Sequence, residues 1–239
     1  MLQSFLLNAL FPRRCPICLH ILSQSHTICP TCRDKLTFIR QPSCYRCGKP
    51  LSDYEEEYCY DCRRHPKSFD RGFAVMLYDK YTKFSMTQFK YHNKREFSTF
   101  YIQEALRLHL DTFSSLSIQA IIPVPIHEKK KKERGYNQAE LLANTLSNYL
   151  SIPTFSSILI RSVYTTPQKE LSPRERLSNL SQAFYVNPDF QASCHFLKTV
   201  LLVDDIYTTG ATLEACTRIL KKYGVETVYT LCICIGAGR

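Results

Sequence analysis

The residues best equipped for chemistry lie in VLLVDDIYTTGAT, from Val200 to Thr212. The apolar run Val200 to Val203 delivers Asp204 and Asp205 to the carboxyl end of an expected buried strand, where ligands bind in open α/β sheets. A short loop with Thr208, Thr209, Gly210, Ala211 and Thr212 follows, and then a helical pattern. Backbone N–H groups, hydroxyls and the positive end of a helix all suit a phosphate monoester. Adjacent carboxylates suit a vicinal diol, whose two O–H donors they can accept together. Phosphate on one side and diol on the other describe a ribose 5-phosphate. The loop is not a Walker A loop, because no G-K-[ST] follows. The plainer alternative for the acidic pair is an Asx-rich turn after a strand, and the T-T-G-A-T that follows argues against it.

A second constellation stands at the other end of the chain. Cys15, Cys18, Cys29 and Cys32 form two C-x-x-C pairs, and Cys44, Cys47, Cys59 and Cys62 repeat the arrangement with nearly the same spacing. Each C-x-x-C presents two thiolates on one side of a tight turn, and two such pairs complete a tetrahedral zinc shell. The repeat therefore reads as a double zinc ribbon with two structural Zn²⁺ sites, closed to any catalytic water. Spacing alone leaves open whether the pairs combine sequentially or crosswise. His26 and His65 lie near enough to be alternative ligands, although two complete four-cysteine sets leave no need for them. Gly48, just after Cys47, is expected to take positive φ in the knuckle. A thioredoxin-like redox pair would need a βαβ pattern around it, and none is present. Cys216, Cys232 and Cys234 sit on apolar patterns and are expected in the core.

The elements that must position these groups follow from periodicity. Gly72 to Tyr78 reads as a strand, Thr82 to His109 as helix with a break near Asn93, and Ala120 to Ile122 as a short strand closed by prolines. Tyr136 to Leu150 is an amphipathic helix, Leu213 to Tyr223 another that Gly224 can end, and Val228 to Ile235 a closing buried strand. Strands alternating with helices imply an α/β domain with a mostly parallel sheet. The change of texture divides the chain into residues 1–65, an N-terminal helix with the ribbon, and residues 66–239, the α/β domain. The opening MLQSFLLNALF lacks the basic flank and cleavage site of a signal peptide and reads as a helix docked on the protein.

Composition narrows the class. With 239 residues, 44% hydrophobic and 22% charged, the chain is neither disordered nor fibrous. Twelve cysteines, eight of them before residue 63, do not suit a secreted disulfide scaffold, and reduced thiols free to hold metal point to the cytoplasm. No stretch approaches the roughly 20 apolar residues of a transmembrane helix. The formal charge is +10, of which +7 belongs to the α/β domain, and it favours a polyanionic partner. Phe89 to Arg95, with Lys90, Tyr91, Lys94 and Arg95, interleaves aromatics with cations as single-stranded nucleic-acid binders do. Its plainer reading is a helix end whose aromatics are core. Lys129, Lys130, Lys131 and Lys132 are by default a solvated loop, with phosphate or DNA contact as the alternative.

Val200 to Thr212 resembles the ribose-phosphate motif of type I phosphoribosyltransferases, and the whole chain resembles the ComF family of ComFC-type competence proteins, also described as GntX-like. The closer match is carried by FPRRC with the following C-x-x-C pairs, by IPVPIHEKKKKERGYNQAELLA from Ile122, and by TTPQKELSPRERLSNLSQAF from Thr165. The resemblance implies a type I phosphoribosyltransferase-like, mostly parallel sheet flanked by helices, preceded by the double zinc ribbon. It also implies that Asp204 and Asp205 contact the ribose hydroxyls of phosphoribosyl pyrophosphate, that Thr208 to Thr212 hold its 5-phosphate, and that Mg²⁺ bridges pyrophosphate and ribose. Pro123 to His127, including Pro125, would face the pyrophosphate with Arg134 close behind. Gln168 to Arg176 would cover the site, with Gln168, Arg174 and Arg176 as candidate contacts. Ser172, Pro173 and Glu175 also make a good helix start, so a capped surface helix is the alternative there.

The expected function is DNA uptake in natural transformation. The chain would bind phosphoribosyl pyrophosphate or a nucleotide-like ligand and handle single-stranded DNA with a ComFA-like ATP-dependent helicase, in the cytoplasm or at the inner membrane face through that partner. An active phosphoribosyltransferase of unknown acceptor is the alternative. No hood for a base and no N-terminal cysteine nucleophile is recognisable. A third reading makes the ribbon a docking adapter without catalysis.

Overall fold

The computed structural model describes residues 12–23, 25–162, 183–190 and 196–237. The ribbon contributes two short helices, α1 (Pro30–Arg33) and α2 (Tyr60–Arg64). The rest runs β1 (Arg71–Leu77), α3 (Lys80–Tyr91), α4 (Phe97–Ser115), β2 (Ala120–Pro123), α5 (Glu128–Arg134), α6 (Gln138–Leu150), β3 (Leu159–Arg161), β4 (Phe184–Val186), β5 (Thr199–Tyr207), α7 (Ala211–Lys222) and β6 (Thr227–Ile235).

Four strands form one sheet in the order β1-β6-β5-β2, and every neighbouring pair is parallel. β2 and Val200–Val203 of β5 are buried throughout, as continuous apolar runs in a helix-covered sheet must be. The helix expected from Thr82 to His109 with a break near Asn93 is the pair α3 and α4. Asn93 breaks it at φ +53, a conformation that asparagine tolerates better than most residues. Upstream, Asp79 caps α3 by accepting from Tyr81 and Thr82 N–H at 2.9 Å, while the Thr82 hydroxyl accepts from Asp79 N–H. The lysine run is helical rather than a loop: α5 starts at His127, whose Nδ1 accepts from Lys129 N–H, and Gly135 ends it. β5 also runs past the acidic pair to Tyr207, so Asp204 and Asp205 belong to the strand itself. The antiparallel pair β3–β4 carries too few residues for a legible pattern.

The ribbon is joined to the domain by backbone and core. Ile39 N–H donates to Val75 O, Leu77 N–H to Thr37 O and Gly72 N–H to Tyr45 O, so the ribbon extends the sheet along the edge of β1. A Cβ on Gly48, which has φ +77, would stand 2.7 Å from Ala74 N. The knuckle therefore needs glycine both for its turn and for this approach. Cys15 and Cys32 share a core with Phe73, Phe100 and Tyr101, on the sheet face that α4 covers. Cys44, Cys47, Cys59 and Cys62 share the other core with Ala74, Tyr207 and Leu213. Arg33 adds a bidentate pair, at 2.5 and 2.7 Å, to the buried Glu104 of α4. The expected division at residue 65 is a change of local chemistry across which packing continues. The N-terminal helix expected in 1–11 lies outside the described residues.

Candidate functional site

In an open parallel sheet, groups at the carboxyl ends of the strands face a common crevice. β5 places Asp204 and Asp205 there, and the chain then turns through Thr208 and Thr209 to Gly210, the N-cap of α7 at φ +73. The Thr208 and Thr209 side chains are exposed. The N-cap glycine offers no side chain, and Ala211 N–H donates to Thr209 Oγ1 at 3.4 Å, while the N–H groups that follow it in the first turn have no acceptor within the helix. A Cβ at position 210 would stand 2.6 Å from Cζ of Tyr207 and run into its hydroxyl. The buried Tyr207 ring therefore braces the loop from beneath. Burial raises the Tyr207 phenol above its usual range, and the nearby Cys47 and Cys62 sulfurs raise it further. The second cysteine set shares the core that holds Tyr207.

The carboxylates meet a ring of cations. Lys90 Nζ donates to Asp205 Oδ1 at 2.8 Å, and Asp204 Oδ1 accepts from the Asp205 N–H at 2.8 Å. Burial, and next the charge of Asp205, push the Asp204 carboxyl up to about 7, against the partial opposition of Lys90 and Arg161. Burial works against the Lys90 charge, but Asp205 and Asp204 outweigh it and hold the ammonium above its usual range. Lys130 of α5 is half-buried. Burial lowers it, as do the neighbouring charges of Arg161, Arg134 and Lys90. Four cations from α3, α5 and β3 thus stand around two carboxylates on β5.

The remaining candidates fall into place around this centre. Pro125 is buried in the turn after β2, where Val124 N–H donates to Val203 O and Asn137 Nδ2 donates to Val124 O at 3.0 Å. Arg134 donates to Gln138 Oε1 at 2.8 Å and to the Tyr91 hydroxyl at 3.0 Å, with its guanidinium 4.9 Å from the Tyr91 ring centre. Ala211 and Thr212 open α7 half-buried. Gln168, Arg174 and Arg176 lie outside the described residues, as does the Ser172–Glu175 helix start.

The aromatic and basic segment divides. Phe89 is core, Lys90 serves the carboxylates, Tyr91 is exposed, Lys94 pairs with Glu96 at 3.8 Å, and Arg95 lies 4.5 Å over Tyr136. Lys129, Lys131 and Lys132 face solvent. Sequence reasoning did not assign Lys90 to the carboxylates and missed Arg161 altogether. Only proximity in the fold joins them to Asp205 and Asp204.

The cysteines form two sets, Cys15/Cys18/Cys29/Cys32 and Cys44/Cys47/Cys59/Cys62, each with its sulfurs within 4.8 Å of one another. The pairs therefore combine sequentially. Cys18 and Cys29 Sγ lie 3.7 Å apart, as do Cys47 and Cys59 Sγ. A tetrahedron with Zn–S bonds of about 2.3 Å has edges of about 3.8 Å, so the donor sets fit zinc. Neither His26 nor His65 joins a set, and His26 Nδ1 lies 2.7 Å from Ser23 Oγ. Burial and the neighbouring Cys18 and Cys15 push the Cys29 thiol up to about 12, so these thiols need a cation to become thiolates together. Cys216, Cys232 and Cys234 are buried in the core.

Residues 6–63 match the family model described as double zinc ribbon domain, and residues 137–239 match the one described as phosphoribosyl transferase domain. The chain is 31% identical over 223 residues to competence protein F of Haemophilus influenzae, covering 88% of this chain and 93% of the relative. It is 28% identical to the DNA utilization protein YhgH of Escherichia coli K12, covering 93% and 97%. It is 29% identical to competence protein ComFC of Bacillus subtilis, covering 86% and 82%. No helix among the described residues is long and apolar enough to cross a membrane.

Proposed function

The chain belongs to the ComF family of competence proteins, and we propose that it serves DNA uptake by binding phosphoribosyl pyrophosphate, or a nucleotide-like ligand, at the loop between β5 and α7. The observation that carries this reading is that Asp204 and Asp205 stand on β5 just before the N-terminus of α7, with Lys90 paired to Asp205 and Lys130, Arg134 and Arg161 among the neighbouring charges. The 5-phosphate would lie on the α7 N–H groups and the hydroxyls of Thr208, Thr209 and Thr212. Asp204 and Asp205 would accept from the ribose diol, and the cation ring would take the pyrophosphate. The two carboxylates also form a donor set for Mg²⁺, which when bound would offset the charge of the pyrophosphate.

The four cations also support a second reading, a working transferase. When pyrophosphate leaves the anomeric carbon, negative charge gathers on it while the ribose becomes oxocarbenium-like. Fixed cations stabilise the first and the carboxylates the second without reorganising. Donor with Mg²⁺ and a panel of bases and amines separates the two readings. Pyrophosphate release that Asp204→Asn with Asp205→Asn stops would establish turnover, and its absence with every acceptor would leave a binding domain.

In the family setting we assign the polyanion partner to single-stranded DNA and the protein partner to a ComFA-like ATP-dependent helicase. The relatives' names and the charge of +10 support the first. Thiols that must stay reduced to hold zinc support a cytoplasmic location. A salt titration tests the DNA assignment: affinity should fall steeply with ionic strength, and affinity indifferent to salt would remove it.

A further inference from the structure

The ribbon meets the edge of β1 at two places, Thr37–Ile39 against Val75–Leu77 and Tyr45 against Gly72. Between them, residues 40–44 leave the strand and enclose a cavity of about 420 Å³. Arg40, Tyr45, Arg71, Phe73 and His109 line it, and among the described residues no carboxylate does. It shares no residue with the crevice at Asp204, from which β6 separates it in the sheet.

The lining has a definite chemistry. The Arg71 guanidinium carbon lies 4.9 Å from the ring centres of both Tyr45 and Phe73, and no carboxylate pairs with it among the described residues. A guanidinium already held between two rings loses little freedom when it grips an anion, and its planar fork suits phosphate. Arg40 is exposed beside it, and Tyr45 is exposed at the mouth. His109 Nε2 lies 3.0 Å from Ala74 O, so it donates there and leaves Nδ1 as the other hydrogen-bonding atom of the ring. Burial, assisted by Arg71, favours the neutral imidazole, which makes Nδ1 an acceptor. The cavity therefore combines phosphate donors, an aromatic face and an acceptor in a volume suited to a small ligand.

We propose that this cavity is a second ligand site that takes one nucleotide unit, with its phosphate on Arg71 and Arg40 and its base against Tyr45. The same unit could be a free nucleoside monophosphate or one residue of a single strand. The proposal stands apart from the reading of the β5–α7 loop, because the two sites share no side chain.

The test titrates the zinc-loaded full chain with deoxyadenosine monophosphate and, separately, with a short oligodeoxyadenylate. Arg40→Ala, at an exposed position, leaves the fold intact, and Arg71→Lys keeps the charge while losing the fork. Each should weaken binding about 10-fold or more, while phosphoribosyl pyrophosphate binding stays unchanged. Weakening of both probes identifies a site for the free unit as well as the strand. Weakening of the oligonucleotide alone identifies a strand residue. If neither probe responds to either substitution, the proposal fails. If inorganic phosphate competes as well as the monophosphate, the base contact is wrong.

Discussion

The ammonium of Lys90 on α3 stands 2.8 Å from Oδ1 of Asp205 on β5, with 17% and 13% of the two side chains exposed. The ion pair joins two elements 115 residues apart at the centre of the proposed site. Removing Lys90 leaves the buried Asp205 carboxylate without its direct ion-pair partner. Lys90→Met should cost about 3 kcal/mol in denaturant unfolding, and adding Asp205→Asn should restore most of it. A single substitution as stable as the parent would show that the pair contributes nothing.

Asp204 gives a pH signature. Its carboxyl is held near 7 in the fold against 3.8 for the free side chain, first by burial and then by Asp205. Between about 4 and 7 the native state therefore keeps a proton that the unfolded chain has lost. The resulting stability is fully present below about 4 and is lost as pH rises through 7, each pH unit of displacement being worth about 1.4 kcal/mol. Asp204→Asn should flatten this decline and exceed the parent in stability above pH 7. Parallel curves for parent and variant would contradict the assignment.

Gly210 carries two constraints at once, φ +73 and contact with the Tyr207 ring. Gly210→Ala should cost about 1–2 kcal/mol for the backbone alone, with a further loss from displacing Tyr207. Phosphoribosyl pyrophosphate affinity should fall with it, as calorimetry would read. Tyr207→Leu in the same chain should relieve the steric part and leave the backbone part. Unchanged affinity in Gly210→Ala would mean that the loop does not hold the ligand.

The two cysteine sets should differ in their effect on that loop. Cys59 belongs to the core that includes Tyr207, whereas the first set packs toward α4. Metal analysis should find two zinc ions per chain, and one in either Cys29→Ser or Cys59→Ser. Only Cys59→Ser should also weaken phosphoribosyl pyrophosphate binding. Equal effects would refute the linkage through Tyr207, and less than one zinc in the parent would refute the double site.

Much of the site was legible because it is local. Strand, acidic pair, hydroxyl-rich loop and helix start lie in thirteen consecutive residues from Val200 to Thr212, and C-x-x-C spacing states the geometry that a metal needs. What spacing could not tell was pairing across distance. Lys90 and Arg161 come to the carboxylates from α3 and β3, elements far from β5 in the sequence. The partial burial of Lys130, beside three lysines that face solvent, depends on the phase of α5 after its cap on His127. The seam between ribbon and β1 is made largely by backbone groups, which any sequence supplies and none advertises. The short pair β3–β4 hides for the same reason, its three-residue strands carrying almost no periodicity.

The most direct test of the account is calorimetric titration of the zinc-loaded chain with phosphoribosyl pyrophosphate and Mg²⁺, beside Asp204→Asn/Asp205→Asn. The account predicts saturable, Mg²⁺-dependent binding at one site in the parent. It also predicts a loss of at least about 100-fold in the double variant, since both diol acceptors and the charge they present to Mg²⁺ are gone. Equal affinity in the two proteins, or no binding to the parent, would contradict it.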